Sequence, residues 1–184
     1  MPVWISKGTG ALAAFVLLSY LCIYTPLKRT TPLCTLVGAV PGALPPVMGY
    51  AAAGGSLDAT ACILFAILFC WQIPHFLAIA VLYRDDYRAA GMPVLPVVDG
   101  NGRRTARWMT VGSAALWAMS LLPVWAGTCG PAYLVGAGSM GAAYAALCVV
   151  AGVRRDRASA RQVFVASLIH LPLLLAVMAW DKLS

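Results

Sequence analysis

Charged residues are scarce in this chain, and glutamate is absent altogether. Lys, Arg, Asp and Glu together make up 10% of the 184 residues, whereas 61% of the residues are hydrophobic. Soluble domains use charged residues at about a quarter of their positions. The shortage of charge, with a mean hydropathy of +0.83, excludes an ordinary water-soluble protein and indicates an integral membrane protein.

Paired cysteines are also missing. The chain has six cysteines, which lie apart in apolar segments, and none of them forms a C-x-x-C pair. Isolated cysteines of this kind are usually small buried hydrophobic residues. The sequence therefore argues against a disulfide framework and against a zinc site.

The apolar residues that are present form six long segments, and no stretch between them is long enough for a soluble domain. A membrane helix needs roughly 20 apolar residues. The segments lie at about residues 9–25, 33–54, 60–82, 107–127, 132–152 and 163–180. We therefore predict an all-α fold in which residues 1–184 form a single transmembrane domain.

The net charge of +7 could indicate a nucleic-acid-binding protein, but the placement of the basic residues argues against such a partner. Most of them fall in the loops between segments 1–2, 3–4 and 5–6: Lys28, Arg29, Arg84, Arg88, Arg103, Arg104, Arg107, Arg154, Arg155, Arg157 and Arg161. Basic loops mark the cytoplasmic face of a membrane protein. Both termini of this chain are therefore predicted to lie outside.

With that topology, the first segment enters the membrane from its outer face. Residues 1–10 contain one lysine and no small-residue cleavage site after a short apolar core, so no export signal is evident. Such a start is natural if an odd number of helices precedes this sequence in the complete protein. We expect the sequence to be truncated in this way.

Segment 2 contains three prolines, Pro41, Pro45 and Pro46, within the span. Each proline removes a backbone donor and disturbs the preceding turn. Irregular backbone at membrane depth is tolerated where it is buried in protein or lines a cavity. Segment 2 is therefore predicted either to line a cavity or to be a kinked helix packed through its small residues.

Polar residues recur along segment 3. Gln72 and His75 are three residues apart and so share a helix face. Tyr83 lies eleven residues beyond Gln72, and Asp86 lies eleven residues beyond His75, which is about three helical turns in each case. If the helix continues that far, all four side chains project into one interior groove, although Pro74 would bend the helix. As an alternative, His75 forms only an interhelical hydrogen bond.

Two adjacent carboxylates, Asp85 and Asp86, lie at the membrane boundary, where they are costly unless they meet cations. Lys28, Arg29 and Arg88 lie at the same face. Lys and Arg bind phosphate oxygens, and carboxylates hold Mg²⁺ together with a substrate phosphate. These residues indicate a site for a diphosphate and Mg²⁺. A transporter or a lipid-binding membrane protein would explain the same charges and the broken segment 2.

Four motifs follow one another along the first half of the chain. They are YTPLKRTTP (24–32), VGAVPGALPPVMGY (37–50), FCWQIPHF (69–76) and YRDDYRAAGMPVLPVV (83–98). In this order and spacing they resemble the protoheme IX farnesyltransferase (haem O synthase) family of intramembrane polyprenyltransferases. The resemblance implies a nine-helix bundle around a central cavity, of which this chain would form helices four to nine.

The resemblance implies a reaction and its participants. The farnesyl group of farnesyl diphosphate would be transferred to the C2 vinyl group of haem B, which gives haem O for haem-copper oxidases. Mg²⁺ would bind the diphosphate, and the enzyme would lie in the lipid bilayer of a bacterial inner membrane in preference to a mitochondrial one. Haem A synthase or oxidase assembly factors are candidate protein partners.

The resemblance also implies roles for individual residues. Asp86 matches the aspartate of the family's second Asp-rich motif, which holds the metal, and Asp85 occupies a variable neighbouring position. Lys28 and Arg29 match a basic pair near the diphosphate, and His75 is a candidate for contacting haem or transferring a proton. The predicted catalytic residues are Asp86, Lys28 and His75. The predicted substrate-binding residues are Lys28, Arg29, Gln72, His75, Tyr83 and Arg88.

The chain departs from the family pattern at several points. The family's first Asp-rich motif, roughly N-x-x-D-x-x-x-D, does not occur in the sequence. Cys34 replaces a common asparagine, and His170 replaces an aromatic residue and is predicted to be a packing residue. We therefore expect the first three helices to be absent and the chain alone to transfer little or no farnesyl. A non-catalytic fragment is the alternative.

Overall fold

A computed structural model describes residues 7–183. All regular secondary structure in that range is helical, and six helical spans are long and apolar enough to cross a membrane. The spans are Thr9–Leu27, Cys34–Ala52, Ala59–Leu82, Arg103–Trp125, Pro131–Arg154 and Arg157–Lys182. The predicted all-α membrane fold with six spanning helices is confirmed.

The spans are built from helices that we number along the described residues. They are α1 (Lys7–Ser19), α2 (Thr25–Leu27), α3 (Cys34–Gly42), α4 (Pro45–Ala52), α5 (Ala59–Leu82), α6 (Arg84–Ala89), α7 (Leu95–Val98), α8 (Arg103–Trp125), α9 (Pro131–Arg154) and α10 (Arg157–Leu183). A π-helical turn, Tyr20–Tyr24, joins α1 to α2.

Four of the long helices, α5, α8, α9 and α10, form a closed ring. α8 packs against α5 and α9, and α10 packs against the same two helices. The centre of the ring is apolar and includes the fully buried side chains Ile67, Leu116, Tyr133, Val163 and Leu174. α1, α3 and α4 pack outside this ring, where α3 and α4 contact α5.

Two helices begin earlier than the apolar pattern predicts. α8 starts at Arg103 instead of residue 107, and α10 starts at Arg157 instead of residue 163. Both arginines are exposed, so each helix continues beyond the apolar segment. The backbone N–H of Ser159 donates to the carboxylate of Asp156 at 2.7 Å, which caps the start of α10 and lowers the pKa of that carboxyl.

Segment 2 is broken into two helices, as its prolines indicate. α3 ends at Gly42 and α4 begins at Pro45, so two residues separate the helices. Pro45 and Pro46 occupy the first turn of α4, where the missing N–H would have no helical partner in any case. The break therefore places irregular backbone within the membrane-spanning region, beside α5.

Candidate substrate cleft

A cleft of about 470 Å³ lies between α5 and the broken α3–α4 pair. Its walls are mainly apolar and aromatic, and they include Val16, Tyr20, Tyr24, Cys34, Pro41, Gly42, Pro45, Gln72, Phe76, Ile79, Ala80, Tyr87 and Val94. The broken segment thus lines a cavity, which is the first of the two structures that its prolines predicted.

Two glycines of α3 allow the walls of the cleft to approach each other. A Cβ added at Gly38 would lie 2.6 Å from the ring of Tyr24, and one added at Gly42 would overlap the side-chain amide of Gln72. That amide donates from Nε2 to the carbonyl oxygens of Ala39 and Leu68, both at 3.2 Å. Gln72 is therefore held at the cleft wall, between α3 and α5.

One of the basic candidate residues, Lys28, lies near one end of the cleft. Tyr24 and Tyr87 line this end and pack against buried Cys34 and Val94. The Nζ atom of Lys28 lies 5.9 Å from the centroid of the Tyr24 ring, within the range of a cation–π contact. Lys28 is thereby placed beside an aromatic side chain of the cleft wall.

The two carboxylates of α6 differ in their surroundings. Arg88 Nη1 lies 3.0 Å from Asp85 Oδ1, which forms an exposed ion pair. Asp86 is exposed, and its carboxylate forms no hydrogen bond or ion pair within residues 7–183. Asp86 directly precedes Tyr87, a residue of the cleft wall.

The prediction that one groove receives Gln72, His75, Tyr83 and Asp86 is wrong. α5 ends at Leu82, and Tyr83 leaves the helical conformation with φ −109° and ψ 28° before α6 begins. Tyr83 is 53% exposed and is not a wall residue of the cleft. The change of direction at Tyr83 removes the helical register that the prediction required.

His75 faces α10 and lies away from the cleft. Its Nδ1 atom lies 2.7 Å from Ser167 Oγ, and its ring stacks on Trp71 with centroids 4.5 Å apart. With about 100° per residue, His75 points some 60° to one side of Gln72 and 100° from Phe76. That rotation is enough to direct the His75 ring toward α10. The structure thus shows the interhelical hydrogen bond that was the alternative prediction for His75.

His170 also lies in the helix packing. It is 5% exposed, and its ring stacks on Tyr144 of α9 with centroids 5.1 Å apart. This position agrees with the predicted packing role. The six cysteines are all free, and the described part of the chain contains no group of three or more His, Cys, Asp and Glu side chains placed to hold a metal ion.

Sequence reasoning missed the aromatic residues of the cleft. Tyr24, Phe76 and Tyr87 line it, although none was selected as a candidate. A signal was present for two of them. Tyr24 lies one helical turn before Lys28, and Tyr87 follows Asp86, so each is adjacent on the helix or in sequence to a selected charge.

Comparison with known proteins places the chain in a family. A sequence profile of the UbiA prenyltransferase family matches residues 2–174. The chain belongs to this family. No solved structure matches the chain.

Relatives of this chain include proteins named protoheme IX farnesyltransferase. The one from Solibacter usitatus (strain Ellin6076) is 46% identical over 178 residues, which cover 97% of this chain and 60% of the relative. The one from Sorangium cellulosum (strain So ce56) is 46% identical over 179 residues, which cover 96% of this chain and 63% of the relative. This UbiA-family chain thus spans about three fifths of the length of the relatives that it matches.

Proposed function

We propose that the cleft binds farnesyl diphosphate and that the chain forms part of an enzyme that farnesylates haem B to haem O. The single observation that supports this most is the combination of an apolar, aromatic cleft with Lys28 beside its Tyr24 and with Asp86 next in sequence to its Tyr87. An isoprenoid chain requires the apolar walls, and a diphosphate requires the cation and the carboxylate with its metal. The names of the relatives supply the choice of haem B as acceptor.

In this proposal the polar end of the cleft holds the diphosphate. Lys28 and Arg29 contact phosphate oxygens as charge-assisted donors. Asp86, with Asp85 beside it, fits Mg²⁺, because this metal binds proteins through one or two carboxylates and completes its shell with water and substrate phosphates. Mg²⁺ held by these carboxylates would supply positive charge that neutralises the leaving diphosphate. Because Asp85 already pairs with Arg88, we assign the binding of Mg²⁺ mainly to Asp86.

The apolar end of the cleft holds and protects the farnesyl group. When the C1–O bond to diphosphate breaks, the resulting allylic cation is shielded from water by the cleft walls. The rings of Tyr24, Phe76 and Tyr87 offer π faces that stabilise a nearby cation. The vinyl π electrons of haem B then form the new C–C bond, and water adds a hydroxyl group to the remaining cation and loses a proton.

We also propose an orientation for the bundle. The loops with most of the basic residues face the cytoplasm of a bacterial cell, so that farnesyl diphosphate enters the polar end of the cleft from that side. Both termini of the chain then lie on the outer side of the inner membrane.

Haem O formation in bacterial cells that lack their own haem O synthase tests the proposal. The chain is expressed in two forms, one alone and one joined to an upstream segment that contains the N-x-x-D-x-x-x-D motif. Haem O is quantified in both by chromatography and mass spectrometry. We expect haem O from the joined form and little or none from the chain alone. In the joined form, Asp86→Asn should lower the yield roughly hundredfold, the effect of removing a key electrostatic group.

Asp85→Asn is the matched control, because it removes the same charge one residue away and should retain most of the activity. All variants are first shown to reach the membrane at equal levels. Equal haem O yields from the Asp86→Asn and unchanged joined forms would contradict the proposal. A joined form that accumulates farnesyl diphosphate in the cell but produces no haem O would favour a transporter or lipid-binding protein.

A further inference from the structure

A further groove, of about 930 Å³, lies where α10 meets α9 and the end of α5. It shares no lining residue with the substrate cleft. Its polar side chains are Arg157, Arg161 and Gln162. Its apolar side chains include Leu82, Leu147, Val165 and Ile169.

The mouth of the groove has two cations that the described residues do not neutralise. Arg157 and Arg161 are four residues apart and so lie on the same face of α10. Neither side chain forms an ion pair or hydrogen bond within residues 7–183. The nearest acidic residue in sequence, Asp156, accepts the backbone N–H of Ser159 at the helix start. The groove therefore offers uncompensated positive charge to an anion.

The apolar part of the groove continues along α10 from the two arginines. Val165 and Ile169 are 45% and 55% exposed, and they lie one and two turns further along α10 from Arg161. Arg161 and Ile169 are about 12 Å apart along the helix, since each residue adds about 1.5 Å. Half of a bilayer's hydrocarbon core is about 15 Å thick. The groove thus runs from its two cations into an apolar trough, over a length close to the thickness of one leaflet's hydrocarbon.

We propose that this groove, the lipid groove, binds an anionic phospholipid of the surrounding leaflet. Arg157 and Arg161 bind the headgroup phosphate, and one acyl chain lies against Leu147, Val165 and Ile169. Basic pockets between helices at the cytoplasmic face are known to suit anionic headgroups. A free phosphate would use the arginines but not the apolar trough, so the continuity of the two parts selects a lipid. Leu82, the last residue of α5, brings the bound lipid next to the turn that leads into α6.

Native mass spectrometry of the purified chain tests the lipid groove. The protein is mixed with equal amounts of phosphatidylglycerol and phosphatidylcholine in detergent, and the lipids that remain bound are counted. We expect retained phosphatidylglycerol in preference to phosphatidylcholine. The R157Q/R161Q variant should reduce this preference roughly 30-fold, since each cation near a membrane surface contributes about a fivefold factor. R157K/R161K should retain most of it.

Two further variants separate this site from general charge and from a phosphate site. R103Q/R104Q removes two exposed arginines at the start of α8 and should leave the preference unchanged. Val165→Trp fills the trough without altering charge and should displace the lipid, whereas a site for free phosphate would be unaffected by it. Added inorganic phosphate should not compete with phosphatidylglycerol for the groove. Equal phosphatidylglycerol retention by the unchanged chain and R157Q/R161Q, or equal losses in R157Q/R161Q and R103Q/R104Q, would overturn the proposal.

Discussion

At the scale of single residues, Asp85 and Asp86 show how a helical turn separates two neighbouring carboxylates. Residues three apart on a helix can meet, so Arg88 reaches Asp85 and does not reach Asp86. An exposed pair of this kind contributes little to stability, typically less than about 1 kcal/mol. Its consequence is local, because it leaves Asp86 as the carboxylate of α6 without a protein partner among residues 7–183.

His75 is the residue for which the structure differs most from the role predicted by the sequence. Its hydrogen bond to Ser167 and its stacking on Trp71 place it between α5 and α10. We expect a double-mutant cycle of His75→Ala and Ser167→Ala, measured by unfolding in detergent, to give a coupling free energy near 0.6 kcal/mol, the average for hydrogen bonds between membrane helices. His75→Ala should leave the affinity for farnesyl diphosphate within about threefold, well under 1.4 kcal/mol.

The adjacent residue provides the control for His75. Phe76 lines the cleft, and truncating it removes apolar and aromatic contact from the ligand. Phe76→Ala should therefore weaken farnesyl diphosphate binding by roughly tenfold, as expected for a loss of 1–2 kcal/mol of apolar burial. If His75→Ala weakens binding as much as Phe76→Ala does, His75 contacts the ligand and the packing role is incomplete.

At the scale of helices, the close approach of α3 to α5 shapes the substrate cleft. The approach depends on Gly42, where an added Cβ would overlap the Gln72 amide. Gly42→Ala should displace that amide from the carbonyl of Ala39 and destabilise the protein by about 1–3 kcal/mol, the cost of an unsatisfied buried group. The free energy of unfolding in detergent measures this effect.

Gly49 in α4 is the matched control, because no atom lies within 4 Å of an added Cβ there. Gly49→Ala should be neutral or slightly stabilising, since alanine favours a helix more than glycine does. In a Gln72→Ala background, Gly42→Ala should cost much less. An equal cost in both backgrounds would show that the contact with Gln72 is not the cause.

The ends of the helices were harder to predict than their cores. Apolar content locates the centre of each span, but α8 and α10 continue outward to Arg103 and Arg157, because arginine side chains remain in water while the backbone stays helical. No proline or glycine stands beside Leu82 to indicate that α5 ends there. After that turn α6 and α7 pack against α5, and this tertiary contact cannot be predicted from the single sequence.

At the scale of the whole molecule, the sequence predicted the fold class, the six spans and the family, because these depend on composition and on four ordered motifs. It also predicted Gln72 at an interior wall and a cavity beside Pro41 and Pro45. It did not predict which neighbour each polar residue faces. That choice depends on the rotation of α5 within the ring, and a rotation of 60° decides whether a side chain meets α10 or the cleft.

Direct binding of farnesyl diphosphate to the purified chain tests the central claim, which is that the cleft between α5 and the broken α3–α4 pair is the prenyl diphosphate site. Calorimetry in detergent with and without Mg²⁺ gives the affinity of the unchanged chain and of Lys28→Gln, Asp86→Asn and Asp85→Asn. We predict Mg²⁺-dependent binding, weakened on the order of tenfold or more by Lys28→Gln and by Asp86→Asn, since hydrogen bonds to charged groups contribute about 1.5–3 kcal/mol. Asp85→Asn should have a clearly smaller effect. No binding to the unchanged chain, or the same affinity in Lys28→Gln and Asp86→Asn as in the unchanged chain, would contradict the account.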